Sequence, residues 1–119
     1  MLAILMQGAC SPRGWLARVY VVRAENALGK AGELKHQKVS FENRLPYFGK
    51  ACHDYAKAYE MDPTVFTFIR IEEAVDACWK SKQQEQEAMF KNFEEQYIQA
   101  HPQEYERGDA GMGMVDMGG

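Results

Sequence analysis

The sequence lacks a hydrophobic run long enough to cross a bilayer. The apolar opening, MLAILM, is six residues long, whereas a transmembrane helix needs about 20. No basic residue precedes it, as one would in a secretory signal. We therefore predict neither a transmembrane span nor a secretory signal, and peripheral membrane association stays open.

Cysteine is scarce and scattered. The chain has three cysteines, Cys10, Cys52 and Cys78, with no CxxC pair and no zinc-type spacing. This pattern excludes a disulfide framework of the kind that stabilises small secreted domains. We expect three reduced thiols in a reducing compartment, and one bridge between Cys52 and Cys78 is the alternative.

Groupings that could carry metal or catalytic chemistry are also missing. The three histidines, His36, His53 and His101, share no i, i+4 spacing, and no HExxH motif occurs. The ExxH of Glu33 and His36 has no second copy to complete a bundle site, so no metal site is predicted. Cys52, His53 and Asp54 are adjacent, but on a helix adjacent side chains diverge by about 100° and cannot converge on a substrate. The sequence predicts no cofactor and no catalytic residue; a small enzyme without a recognisable site remains an alternative.

Charge is unevenly distributed along the chain. The net charge is −3 and the isoelectric point about 5.6, so no nucleic-acid partner is expected. Residues 1–60 carry nine basic and five acidic residues, and residues 61–119 carry five and twelve. Residues 1–24 contain Arg13, Arg18 and Arg23 but no acidic residue, which is typical of an organelle transit peptide. We expect a mitochondrial or plastid location, and otherwise the cytoplasm.

The length of 119 residues fits one domain. We divide the chain into an apolar segment (1–10), a helical domain (11–107) and a Gly/Met-rich tail (108–119). Ser11-Pro12 is a typical helix start, and an apolar stripe at helical spacing runs from Trp15 to Gly29. RVYVV, residues 18–22, could instead form a short strand.

A second helix is predicted from the band that follows Ser40. Ser40 is a typical N-cap. Pro46 marks either an interior break or, as we prefer, the first turn of the main helix. The run of Ala51, Tyr55, Ala58 and Pro63 resembles the second helix of a tetratricopeptide repeat over some 14 residues. The 34-residue frames before and after it do not follow the repeat. The resemblance implies an antiparallel helix pair in which small residues permit close approach.

Residues 63–100 are predicted to form one long helix. Asp62 caps it and Pro63 opens it, while His101-Pro102 ends it. TVFTFIRI, residues 64–71, has strand-type residues, but the helical spacing continues through it. Residues 80–87, KSKQQEQE, offer no apolar face, which is typical of a helix that crosses water. The predicted fold is mostly α: a helical hairpin, a long projecting helix (63–100), an irregular N-terminal segment and a Gly-rich C-terminal tail.

Apolar ends on a projecting helix predict surfaces that contact other proteins. We predict a non-catalytic accessory or scaffold subunit that holds neighbouring proteins in a larger assembly. A small helical protein- or peptide-binding module is the alternative. The candidate interface residues are large, mostly aromatic or sulfur-containing side chains: Trp79, Met89, Phe90, Phe93, Tyr97, Met112 and Met114.

Overall fold

The computed structural model describes residues 12–102. Within that range the chain forms four α-helices: α1 (Pro12–His36), α2 (Phe41–Met61), α3 (Phe68–Lys80) and α4 (Gln84–Ala100). A 3-10 turn, Pro63–Val65, lies between α2 and α3. No strand occurs in residues 12–102, so the prediction of a mostly α fold is confirmed and both candidate strands are helical or turn segments.

Helices α1 and α2 form the antiparallel pair that the small-residue spacing predicts. Arg13, at the start of α1, donates hydrogen bonds of 3.0 and 3.2 Å to the carbonyls of Glu60 and Met61 at the end of α2. Small side chains at the contact let the two helices approach closely. The buried residues of the pair are Ala17, Val21, Ala24, Ala27 and Ala31 on α1, with Phe48, Ala51, Cys52, Asp54, Tyr55 and Ala58 on α2.

Helix α1 continues well past the predicted end at Gly29. Gly29 and Gly32 lie inside the helix with open space around them. A glycine in a helix interior costs roughly 1 kcal/mol relative to alanine. Ala31 is buried against α2, so packing with the neighbouring helix keeps this part of α1 helical despite the glycines.

Helix α2 begins earlier than predicted. Ser40 is the N-cap, and its hydroxyl accepts a 3.3 Å hydrogen bond from the backbone N–H of Asn43. Pro46 therefore lies inside the helix, beyond the first turn where we expected it. Proline lacks an N–H, so the carbonyl of Glu42 has no i+4 donor; both residues are near the exposed end of the helix, where water can reach that carbonyl.

The single helix predicted over 63–100 is wrong, because the chain breaks twice. Thr67 caps α3, accepting a hydrogen bond from the backbone N–H of Arg70. At residues 81–83 the backbone N–H of Gln83 bonds to the carbonyl of Cys78, and that of Lys82 to Trp79. This pair of bonds is a Schellman motif, which ends α3. Helix α4 then turns back and packs on α3, so no helix within residues 12–102 projects as a rod.

Both Schellman motifs in the fold place lysine where glycine is usual. Lys38, after α1, has φ 64°, and Lys82, after α3, has φ 60°. The left-handed conformation favours glycine because it has no Cβ. Lysine at these positions gives no sequence signal for the end of a helix, which is why the break at 81–83 could not be seen in advance.

We expect Lys82→Gly to stabilise the protein by up to about 1 kcal/mol, because it removes the steric cost of a Cβ at positive φ. Urea unfolding measures the change. Lys57→Gly is the matched control: Lys57 lies in the middle of α2, where glycine should instead destabilise by about 1 kcal/mol. Equal effects of the two substitutions would contradict the backbone explanation.

An aromatic cluster holds α4 against the rest of the bundle. Phe90 is fully buried, with its ring centroid 5.6 Å from Phe66 and 5.8 Å from Tyr59. Phe93 lies 4.9 Å from Tyr59. Rings at such separations contribute beyond the area they bury. The side of α4 that we assigned to foreign proteins is thus largely occupied by the chain itself.

A disulfide joins α2 to α3. Cys52 and Cys78 are bonded, with their Cα atoms 4.9 Å apart, and both are fully buried. The expectation of three reduced thiols is wrong for these two, and the alternative bridge is the one observed. Spacing alone could not decide it, since the bond requires two helices to bring their Cβ atoms together. Cys10 lies outside the described residues.

Candidate partner-binding surface

A patch of exposed apolar side chains lies where the first turns of α2 meet the last turn of α3. Trp79 is 62% exposed and Phe41 is 44% exposed. Leu45 is partly exposed and Pro46 is exposed. We call these four residues the Trp79–Phe41 surface. Large aromatic side chains with this much exposure are the type of residue that anchors protein interfaces.

Three contacts hold the two helix ends in place beneath this surface. The Cys52–Cys78 disulfide links α2 to the last turn of α3. The ammonium of Lys80 lies 4.7 Å from the ring centroid of Phe48, a distance suited to a cation–π contact. The amide of Gln83 donates a 3.2 Å hydrogen bond to the carbonyl of Gly49. The surface therefore belongs to a preformed part of the fold, which lowers the entropy lost on binding.

Two grooves adjoin Phe41. One, of about 520 Å³, lies between Phe41 and Trp79 and is bordered by Lys80 and Lys82. The other, of about 590 Å³, is lined by Leu45 and Pro46 as well as Phe41. Both have the size of grooves that accept a side chain or a small ligand. Apolar side chains of a partner can thus enter on either side of Phe41.

A third groove, of about 390 Å³, lies on the other side of Trp79, between α3 and α4. Two of its acidic side chains have lysine partners: Asp76 pairs with Lys80 at 2.9 Å, and Glu87 with Lys91 at 3.1 Å. The groove has two further acidic residues, Glu72 and Glu94, and neither forms an ion pair with another residue in 12–102. The groove is therefore negatively charged.

Glu94, which lines this groove, has a raised pKa. Partial burial, followed by the nearby carboxylate of Glu72, raises the pKa of Glu94 above its ordinary value. A carboxyl with a raised pKa in the folded state stabilises the fold at low pH, and this contribution is lost as pH rises through that pKa. At neutral pH a cationic group placed in the groove would relieve this repulsion.

The adjacent residues Cys52, His53 and Asp54 do not form a reactive group. Cys52 is in the disulfide, so it cannot act as a nucleophile while that bond is intact. Asp54 is buried; its carboxylate accepts a 2.9 Å hydrogen bond from the Lys50 ammonium and lies 3.8 Å from the Arg23 guanidinium. These ion pairs satisfy a carboxylate at the α1–α2 contact.

Within residues 12–102, no group of three or more His, Cys, Asp or Glu side chains is arranged to hold a metal ion. No helix of that same part of the chain has the length and hydropathy to cross a bilayer.

Tyr55 is fully buried, and its hydroxyl donates a 3.2 Å hydrogen bond to the carboxylate of Glu73. Burial, and then the charge of Glu73, raise the pKa of Tyr55 far above its ordinary value, so it serves as a neutral hydrogen-bond donor between α2 and α3.

The structure separates the predicted interface residues into three groups. Trp79 is exposed, so it stays a candidate interface residue. Phe90 is fully buried, so in this fold a partner cannot reach it; this corrects its assignment, because the break at 81–83 folds α4 onto α3. Met89, Phe93 and Tyr97 are partly buried against the core, and Tyr97 also stacks on His101 at 4.0 Å. Met112 and Met114 lie outside the described residues.

Sequence reasoning missed Phe41 as a surface residue. Phe41 lies seven positions before Phe48, on the same helical face, and the two rings are 5.8 Å apart. The Ser40 cap makes Phe41 the first helical residue, but whether a side chain at a helix start is exposed depends on tertiary packing, so no surface role was predicted for Phe41.

Together these features define a mostly helical domain, held by one disulfide, with an apolar surface between two helix ends. Searches against protein-family models, curated proteins and solved structures found no match to this chain. Proposals about function therefore depend on the physical properties of the described surfaces.

Proposed function

We propose that this chain is a non-catalytic accessory or scaffold subunit that binds a neighbouring protein through the Trp79–Phe41 surface. The observation that carries the proposal is Trp79, a large apolar side chain left 62% exposed between two grooves. Contiguous exposed apolar surface on a folded domain is costly unless a partner covers it.

The two grooves beside Trp79 suggest the chemistry of the partner. The groove toward Phe41 has two aromatic side chains, Phe41 and Trp79, with Lys80, Lys82, Gln84 and Glu87 around them. The groove between α3 and α4 is negatively charged. A complementary partner segment has an apolar or aromatic side chain for the first groove and a lysine or arginine for the second. Such charge pairing selects the orientation of binding as well as the partner.

Two further observations bear on this proposal. The chain folds back on itself, so the idea of a rod bridging distant proteins no longer supports a scaffold role; the exposed surface supports it instead. The grooves also favour the alternative, a free-standing helical module that binds a peptide. Isolation from native material separates the two, because a subunit elutes in a complex of fixed stoichiometry and a module elutes largely as a monomer.

The disulfide supports a revised location. Such bonds persist in oxidising compartments and are rare in the cytosol. We therefore propose an oxidising compartment. It lies either within the organelle that the acid-free, arginine-containing N-terminal sequence favours or in another location outside the cytosol. Because both sites are fully buried, thiol labelling after acid quenching and denaturation of cells tests this: Cys52 and Cys78 stay unlabelled unless a reductant is added before the label.

We expect Trp79→Ala to weaken binding to the native partner by about 2 kcal/mol or more, roughly thirtyfold, because an interface anchor loses its buried area. Quantitative co-purification from native extract, followed by titration with the identified partner, measures the loss. Thermal stability should be unchanged, since an exposed side chain contributes little to folding.

Ile69→Ala is the matched control for Trp79→Ala. Ile69 is also on α3 and is 66% exposed, but it lies at the opposite end of that helix from Trp79. We expect this variant to bind as the wild type does. If Trp79→Ala binds normally, or if Ile69→Ala weakens binding as strongly, the Trp79–Phe41 surface is not the docking site.

A further inference from the structure

A second apolar stripe runs along the outer face of α1. Trp15, Val19 and Val22 follow i, i+4, i+7 spacing, so they share one face of the helix. The buried residues Ala17 and Val21 come two positions later in each case, about 200° around the helix. Trp15 and Val22 therefore point away from the core, and Val19 between them is partly buried. Trp15 is 65% exposed and Val22 is 52% exposed.

Every charged residue from position 12 to position 24 is an arginine, and Glu25 follows Val22 by about one helical turn. The first acidic residue of the chain is Glu25, which pairs at 3.3 Å with Arg70 on α3. Arg18 is exposed and makes no hydrogen bond or ion pair with any described residue. Arg13 donates only to neutral backbone carbonyls, so its positive charge is not compensated there.

The positive charge of Arg23 is partly neutralised by a carboxylate, unlike those of Arg13 and Arg18. Its guanidinium lies 3.8 Å from the carboxylate of Asp54 and 5.4 Å from the ring centroid of Tyr20, with about half of its side chain exposed. On the neighbouring α2, Glu60 is exposed, and Arg13 donates to its backbone carbonyl. Arg18 is thus the arginine on the outer face of the first half of α1, while Arg13 and Arg23 flank that face and contact α2.

The amino-acid sequence before α1 has a matching composition. Residues 1–11, MLAILMQGACS, contain no charged side chain, and the first six are apolar. Stable attachment to a lipid surface requires two signals, apolar groups and basic groups. Both occur within the first 23 residues of this chain.

We propose that the outer face of α1 binds the surface of an anionic lipid bilayer, with Trp15 and Val22 in the interface and Arg18 on the lipid headgroups. Uniform positive charge favours a negatively charged surface, and tryptophan is the side chain that prefers the boundary between headgroups and acyl chains. This site is distinct from the Trp79–Phe41 surface, which lies at the other end of the α1–α2 pair.

The two tryptophans of the chain, Trp15 and Trp79, allow a direct test with the full-length protein. Trp79→Phe leaves Trp15 as the single fluorophore, and Trp15→Phe leaves Trp79. Their exposed fractions are nearly equal, 65% and 62%, so each is the matched control for the other. The probes are vesicles of phosphatidylcholine alone and vesicles in which phosphatidylserine replaces part of the phosphatidylcholine.

With the anionic vesicles, the fluorescence of Trp15 should shift to shorter wavelength and that of Trp79 should not. Phosphatidylcholine vesicles should give little shift, and added salt should reverse the shift, because exposed charges are screened. Co-sedimentation of Arg18→Gln with anionic vesicles should fall roughly fivefold, and that of Trp15→Ser roughly tenfold. Circular dichroism should show both variants folded, since neither side chain is buried.

Three outcomes would overturn the proposal. The first is equal binding to neutral and anionic vesicles, which removes the role of the arginines. The second is a shift of Trp79 in place of Trp15. The third is a shift of Trp15 without vesicles that grows with protein concentration, which would make this face a contact between two copies of the chain. Failure of the vesicle test leaves the Trp79→Ala experiment unaffected, because it measures a different surface.

Discussion

Replacing the bridged cysteines together, Cys52→Ala with Cys78→Ala, is expected to lower the free energy of unfolding by about 3–4 kcal/mol. The bond closes a loop with a sequence separation of 26 residues, and a cross-link of that length removes about this much loop entropy from the unfolded chain. Alanine is the appropriate replacement because both sites are fully buried and apolar. Urea unfolding in the absence of reductant measures the difference.

Cys10→Ala is the control for that experiment. The chain has three cysteines, and the bond involves the other two, so loss of Cys10 should leave stability unchanged. Alkylation of the unfolded, unreduced wild type should modify only Cys10, and all three cysteines should react after reduction. Full alkylation without reductant, or equal stability of the double variant and the wild type, would show that no such bond forms.

Phe90→Ala is expected to lower the free energy of unfolding by about 3–5 kcal/mol, the usual cost of removing a fully buried phenylalanine. The ring lies between Tyr59 and Phe66, which contact α4 from α2 and from the segment before α3. Its loss leaves a cavity at the contact that holds α4. Amide hydrogen exchange should therefore rise most in α4, since that helix is not covalently linked to its neighbours by the disulfide.

Trp79→Ala serves as the control for Phe90→Ala, because it removes an aromatic side chain of comparable size from the surface. We expect a change within about 0.5 kcal/mol for that variant. Phe90→Leu should fall between the two, since it fills part of the cavity. If Phe90→Ala is as stable as the wild type, α4 does not pack on the aromatic cluster as described.

The helical class and the α1–α2 pairing could be predicted because both depend on local spacing. Ala51, Tyr55 and Ala58 repeat at intervals that place them on one helical face, and small residues at such positions indicate a close contact. Ser40 and Asp62 were recognisable caps for the same reason: a hydroxyl or carboxylate at a helix start satisfies nearby N–H groups. Each signal acts within a few residues of the chain.

The breaks around α3 were not predictable from the same signals. Lys82 adopts the left-handed conformation that glycine usually occupies, and residues 80–87 have helix-forming side chains throughout. Continued helical spacing thus favoured a single long helix. Burial of Phe90 and Phe93 offsets the cost of breaking the helix at Lys82, because these rings reach the core only if the chain reverses after α3. A tertiary contact of this kind decides the break, and no short window of sequence records it.

The candidate surface was partly predictable. Trp79 stood out as a large aromatic residue, but whether it is buried or exposed depends on where α4 lies. Phe90 has similar sequence features and proved to be core. Phe41 was missed because its neighbours on the surface come from α3, more than thirty positions along the chain.

The amino-acid sequence by itself determined the helical class, the caps at Ser40 and Asp62, the small residues that let α1 and α2 pack closely, and the concentration of arginines without acids near the start. Those properties follow from side-chain size, charge and spacing along one helix. Only the tertiary structure decided that α4 folds back, that Cys52 meets Cys78, and that Trp79 stays outside while Phe90 goes inside. These outcomes depend on which distant helices bury apolar surface against each other. The free energy of that burial is a property of the whole bundle and cannot be read from one segment.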